Sequence, residues 1–147
     1  MLKTDRILIT GSAGFIGTNL CKLLIAEGYD NLITVDKITY VSDRTWHDKN
    51  KVTVKELDIC SQKAFDLICD WKPDIIFHLA AESHVDVSIK NPSLFTKSNV
   101  FGTQNLLDAS VKLGTLKQFI HISCYDEETR ALTLNGYKHY TEIDTDD

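Results

Sequence analysis

The chain has 147 residues, 43% of them hydrophobic, enough for one domain with a packed core and short for two. A formal charge of −5 with no basic stripe excludes a nucleic-acid footprint, and no apolar run approaches the roughly 20 residues of a membrane helix. Met1-Leu-Lys-Thr-Asp-Arg6 carries no signal-peptide pattern, so a cytoplasmic protein with no membrane partner is expected. The four cysteines have no metal-ligand spacing; Cys21, Cys60 and Cys69 read as reduced, small core residues, and no metal site is expected.

Arg6 to Thr10 is an apolar run ending in a glycine cluster, the pattern of a buried parallel strand. From Phe15 to about Glu27, Ile16, Leu20, Leu23 and Leu24 fall at helical spacing, with Gly28 placed to end the helix. Leu32–Val35 and Val52–Leu57 predict the second and third strands, with residues 37–51 between them a polar loop or irregular segment. Ser61 can cap a helix running to about Asp70, and Asp74–His78 is a fourth strand. Asn91-Pro92 reads as an N-cap with proline in the first turn of a long helix through Leu106, Leu107 and Val111 to Gly114. Gln118–Ile122 is the fifth strand. Strands alternating with helices predict an α/β fold, a doubly wound parallel sheet of Rossmann order 3-2-1-4-5, truncated before a last strand. Its fifth strand would be an uncovered edge, which invites pairing with another chain.

Gly11-Ser-Ala-Gly14-Phe-Ile-Gly17 sits between the first strand and the first helix. One glycine allows the tight turn, another lets the backbone approach a pyrophosphate, and the third lets helix and strand pack closely. The helix N-terminus then faces the phosphates. Asp36 follows Gly17 by 19 residues at the end of the second strand, where a carboxylate accepts the adenosine ribose hydroxyls. A carboxylate repels a 2′-phosphate, so NAD is favoured over NADP, although Lys37 beside it leaves room for the latter. Asp58 ends the third strand, where adenine would be contacted; it also reads as a turn residue before Ser61.

These residues resemble the dTDP-glucose 4,6-dehydratases, which are extended short-chain dehydrogenases/reductases. Carrying the resemblance are Gly11–Gly17, Asp36-Lys-Ile-Thr-Tyr40, Asp58-Ile59, His78-Leu-Ala-Ala-Glu-Ser-His-Val-Asp86, Asn99-Val-Phe-Gly-Thr103 and His121-Ile-Ser123, over residues 4 to 123 without a break. Ala80–Asp86 is the most specific stretch, since sugar-nucleotide epimerases, the related alternative, usually differ there. The resemblance implies that Phe15, Ile16, Asp36, Lys37, Thr39, Asp58, Ile59, Leu79, Ala80, Ala81, Glu82, Ser83 and Ser98 line an NAD site. It also places Ser83 and His84 against the nucleotide-sugar substrate. On spacing alone, Glu82 and His84 also read as ordinary loop residues. The family's reaction is an internal redox cycle: hydride leaves C4 of the hexose, water is lost across C5 and C6, and the hydride returns to C6.

The match stops after Ser123. The family continues with Thr-Asp-Glu, a Tyr-x-x-x-Lys pair and a substrate domain, whereas this chain runs Cys124-Tyr-Asp-Glu-Glu and has no tyrosine followed four residues later by lysine. Of its 21 acids and 16 bases, seven acids and two bases follow Ser123, so the whole net charge sits there. Cys124–Ile143 resembles the opening block of an intein, with Asn135-Gly136 as a hairpin signal between two short strands. The implied organisation is a Rossmann domain over 1–123 and an intein N-terminal segment over 124–147. Cys124 would be the splicing nucleophile, and the partner would be a complementary intein fragment carrying the C-terminal half of the enzyme. An inert acidic tail on a stand-alone NAD-binding fragment is the alternative. The completed enzyme would be a homodimer, as family members commonly are.

Overall fold

The structure, a computed structural model, describes residues 1–122 and two short strands at 130–133 and 136–139. Ser123 and Cys124 lie outside the described residues.

Five strands form one parallel sheet in the order β3-β2-β1-β4-β5: β1 Ile7–Thr10, β2 Leu32–Asp36, β3 Val54–Glu56, β4 Ile75–His78 and β5 Gln118–His121. Both faces of β1 are buried, as its unbroken apolar run requires in a sheet covered on both sides. Ile7 and Ile9 point into one core with Ile75 and with Cys21 and Leu24 of α1 (Phe15–Ala26). Leu8 points the other way, joining Val35 and Ile76 against Ile68 of α3 (Gln62–Trp71) and Leu106 and Ala109 of α6 (Thr103–Leu113). Each such fully buried aliphatic side chain contributes about 1.5–3 kcal/mol, so the central strands hold the layers together. At the N-terminal edge of the sheet Lys117 bridges Asp5 at 2.7 Å and Asp74 at 3.2 Å.

The helix ends follow local chemistry. Ser61 accepts a hydrogen bond from the Ala64 N–H and caps α3, and Gly28 (φ +78°) and Gly114 (φ +67°) follow α1 and α6 in the left-handed conformation. Elsewhere the structure corrects the sequence reading. Residues 37–51 hold a short helix, α2 Thr45–Lys49, whose His47 is fully buried with neither ring nitrogen hydrogen-bonded among the described residues. A further helix, α4 Val85–Lys90, precedes Asn91, whose side chain does not cap the next one. The long helix expected from Pro92 to Gly114 is there and unbroken to Leu113, as α5 Pro92–Phe95, a π-helical stretch Thr96–Gly102 in its middle, and α6. Cys60 and Cys69 are only half-buried; Cys21 alone of the three is a core residue. The tail strands β6 Arg130–Thr133 and β7 Gly136–His139 pair antiparallel, and Gly136 pairs with Thr133, so it belongs to the second strand rather than to the turn. Among the described residues no helix is long and apolar enough to cross a membrane.

Candidate dinucleotide site

Gly11 leaves β1 with φ +67°, and a side chain there would meet the Ala80 nitrogen at 2.6 Å. Gly17 packs α1 onto the turn so closely that an added Cβ would lie 2.1 Å from the Gly11 carbonyl oxygen. Gly14 is the N-cap of α1, and no side chain caps it. The first-turn N–H groups, at the positive end of the helix dipole, therefore stay open for an anion.

Asp36 is buried beside this turn. One carboxylate oxygen accepts the Ala13 N–H at 3.0 Å; the other accepts the Ile38 N–H at 2.8 Å and the Ser42 hydroxyl at 2.9 Å. Ser42 in turn accepts the Thr39 N–H at 2.9 Å, which folds the loop after β2 back over the carboxylate. Three donors on four acceptor positions leave Asp36 oriented and still able to accept from a ligand hydroxyl. Lys37 points to Asp58 at 3.0 Å. Its hydrogen bond to Asp58 raises the lysine pKa against the opposing effect of burial. Burial alone would raise the Asp58 pKa, but the Cys60 N–H and Lys37 outweigh it and hold the carboxyl below its ordinary value.

The third wall is the segment leaving β4. His78 is fully buried between Thr10 and Thr103, with Nδ1 2.8 Å from the Thr10 hydroxyl and Nε2 2.9 Å from the Thr103 hydroxyl. Thr103 spends its only proton on the Asn99 carbonyl at 2.8 Å, so it accepts from His78 Nε2–H, and Thr10 donates to Nδ1. Burial, and then the His121 ring stacked 4.8 Å away, push the His78 pKa down to about 4, so the ring is neutral at pH 7. The Asn99 side chain completes the chain of bonds. It accepts the Glu82 N–H at 2.8 Å and donates to the Glu82 carbonyl at 2.9 Å, pinning the Glu82 backbone. The π-helical stretch places Ser98 on the same groove as this backbone, in keeping with the frequent use of π-bulges at ligand sites.

One groove at the carboxyl edge of the sheet thus gathers Gly11 and Gly14 from the turn, and Asp36, Lys37 and Thr39 after β2. It also gathers Asp58 and Ile59 after β3, Leu79 to Glu82 after β4, and Ser98. Phe15 and Ile16 stand exposed at the N-terminus of α1, outside the groove lining, and Gly17 acts from behind by packing. Ser83 and His84 are exposed beyond the lining, with the His84 ring 5.7 Å from Tyr40. Val41, Ser42 and Leu57 also line the groove. Sequence reasoning missed them because a loop serine or valine carries no periodic or motif signal before the loop is folded.

A glycine turn feeding a helix N-terminus, an oriented carboxylate at the end of β2 and a ligand crevice at the carboxyl edge define a dinucleotide-binding domain of the Rossmann class. The chain belongs to the GDP-mannose 4,6 dehydratase family, whose sequence profile matches residues 8–127. It is 40% identical over 110 residues to dTDP-glucose 4,6-dehydratase 1 of Escherichia coli, a match covering 71% of this chain and 30% of that protein. The dTDP-glucose 4,6-dehydratase DesIV of Streptomyces venezuelae, solved with NAD, superposes with a TM-score of 0.70 at 36% identity, covering 79% of this chain and 38% of that one. UDP-glucose 4-epimerase of Thermotoga maritima, solved with UDP-glucose, gives a TM-score of 0.72 at 32% identity, covering 86% and 41%. The chain therefore spans about a third of the length of the curated relatives it matches.

Proposed function

We propose that residues 1–123 are the NAD-binding part of a nucleotide-sugar 4,6-dehydratase acting on dTDP-glucose, completed by a C-terminal half into a homodimeric enzyme. The observation that carries the reading is the convergence of the open α1 N-terminus, the oriented Asp36 carboxylate and the pinned Glu82 backbone on one groove. In it the helix N-terminus takes the pyrophosphate, Asp36 the ribose hydroxyls and the walls between Ile59 and Ala80 the apolar rings. Bound NAD supplies a hydride acceptor and donor; the small residues Ala80 and Ala81 let it lie against the backbone. Calorimetric titration of the purified chain with NAD tests this: saturable binding that Asp36→Ala abolishes is expected, and no binding refutes it.

We further propose that Cys124 joins this part to its other half by protein splicing. The reading rests on sequence: the Cys124–Ile143 block, and the acidic shift that begins at the same bond. The Cys124 thiolate attacks the Ser123 carbonyl carbon, forming a thioester as the carbon–nitrogen bond breaks and the freed amine takes a proton; a second nucleophile then captures the acyl group. With no Tyr-x-x-x-Lys in its 147 residues, the unspliced chain is expected to turn over no dTDP-glucose. Trypsin releases Gln118–Arg130 from the unspliced chain. A peptide from the source cells that runs from Gln118 through Ser123 directly into Thr-Asp-Glu establishes splicing. Recovery of the encoded peptide alone refutes it.

A further inference from the structure

In a Rossmann site the end of the second strand decides between a ribose 2′-hydroxyl, taken by a carboxylate, and a 2′-phosphate, taken by a nearby cation. Both kinds of side chain stand here side by side, Asp36 and Lys37. Lys37 is the one basic side chain among the described residues that lines the groove. Its ammonium lies 3.0 Å from one oxygen of Asp58, whose other oxygen is anchored by the Cys60 N–H at 2.9 Å. Asp58 is thereby held in the turn after β3 and cannot follow the lysine toward a ligand. Asp36, held by the donors of Ala13, Ile38 and Ser42, cannot turn its charge away either.

We propose that Asp58 sets cofactor specificity by holding Lys37 off the ribose 2′ position, so that the groove takes NAD and rejects the 2′-phosphate of NADP. The inference rests on the dinucleotide reading of the groove and adds to it the residue that enforces the choice. A 2′-phosphate would meet the Asp36 carboxylate and find the neighbouring cation already neutralised. To recruit Lys37 it would have to break the existing pair and leave Asp58 as an unpaired anion close by. Rejection thus comes from a repulsive element together with a withheld attractive one. The pair is partly exposed, with 45% and 29% of the two side chains accessible, so it contributes little to folding. Its consequence falls on the ligand.

Asp58→Asn tests the idea, because asparagine keeps an oxygen for the Cys60 N–H while removing the charge. Wild type, Asp58→Asn, Lys37→Met and the double variant are titrated with NAD and with NADP by calorimetry on the full 147-residue chain, their folding checked by circular dichroism. The ratio of the two dissociation constants is the readout, since any weakening of adenine binding by the substitution acts on both cofactors alike. Asp58→Asn is expected to shift the ratio about tenfold toward NADP, the scale of one partly solvated ion pair with a phosphate. Adding Lys37→Met should cancel that shift. An unchanged ratio in Asp58→Asn, or a shift that survives Lys37→Met, overturns the proposal. A wild-type chain that binds neither cofactor refutes the dinucleotide reading itself, and the proposal falls with it.

Discussion

Lowering the pH from 7 to 5 loads protons onto the unfolded chain that the folded chain refuses at His78. The imidazole is fully buried, both nitrogens are occupied by threonine hydroxyls, and its pKa falls from 6.5 to about 4, by burial first and the His121 ring second. Above pH 6.5 the ring is neutral in both states and adds no pH dependence. Between 6.5 and about 4 only the unfolded state takes the proton, so stability is lost as the pH falls. The whole difference corresponds to about 3 kcal/mol below pH 4, of which about 2 kcal/mol falls between pH 7 and pH 5. Equilibrium urea unfolding at pH 7, 6 and 5 of wild type and His78→Gln isolates it, because glutamine does not titrate. The variant is less stable at pH 7, since it cannot bridge both hydroxyls in the same geometry. The gap to wild type should then narrow by about 2 kcal/mol by pH 5. Low-pKa carboxylates such as Asp5 and Asp74, and His47, whose pKa burial also lowers, are common to both proteins and cancel. A gap independent of pH would refute the reasoning, because it would mean that folded His78 accepts the proton as readily as the unfolded chain does.

Two glycine substitutions separate packing from conformation. In Gly17→Ala the new Cβ would lie 2.1 Å from the Gly11 oxygen and 2.8 Å from the Ser12 Cα, both backbone, so the turn must move. We expect a loss of about 2 kcal/mol in urea unfolding and NAD binding weakened by at least about tenfold. Gly28→Ala, at φ +78° with nothing within 4 Å, should cost about 1 kcal/mol and leave NAD affinity unchanged; equal effects at both sites would contradict the packing account. Asn99→Leu removes both bonds to Glu82, which should cost about 1–3 kcal/mol and speed hydrogen exchange at the Glu82 amide. Unchanged protection there would refute the pinning role.

The order of the sheet and the edge at which its groove opens were legible in the sequence. An apolar run such as Ile7–Ile9 has one physical use when glycines and a helical pattern follow it. Gly11, Gly14 and Gly17 act over so few residues that their spacing alone encodes the turn, and Asp36 is placed by the strand that ends in it. Local chemistry likewise marked Ser61 as a cap and Gly28 and Gly114 as helix ends. It failed at Asn91, where α4 enters the same junction and sets a backbone geometry the capping side chain cannot use.

What remained illegible depends on residues distant in the chain meeting at one edge. Lys37 read as a possible ally of a 2′-phosphate until the sheet brought Asp58 to 3.0 Å from it. Ser42 carried no signal until its loop closed on Asp36. His78 read as the last residue of a strand, and became a neutral bridge only when β1 and α6 placed Thr10 and Thr103 on its two nitrogens. Sequence determined which elements form and what kind of ligand their edge suits, because strand, helix and turn chemistry act between near neighbours. Tertiary structure decided the partner and orientation of each charge and proton at that edge, because contacts between parallel strands exist only after the crossovers have been made.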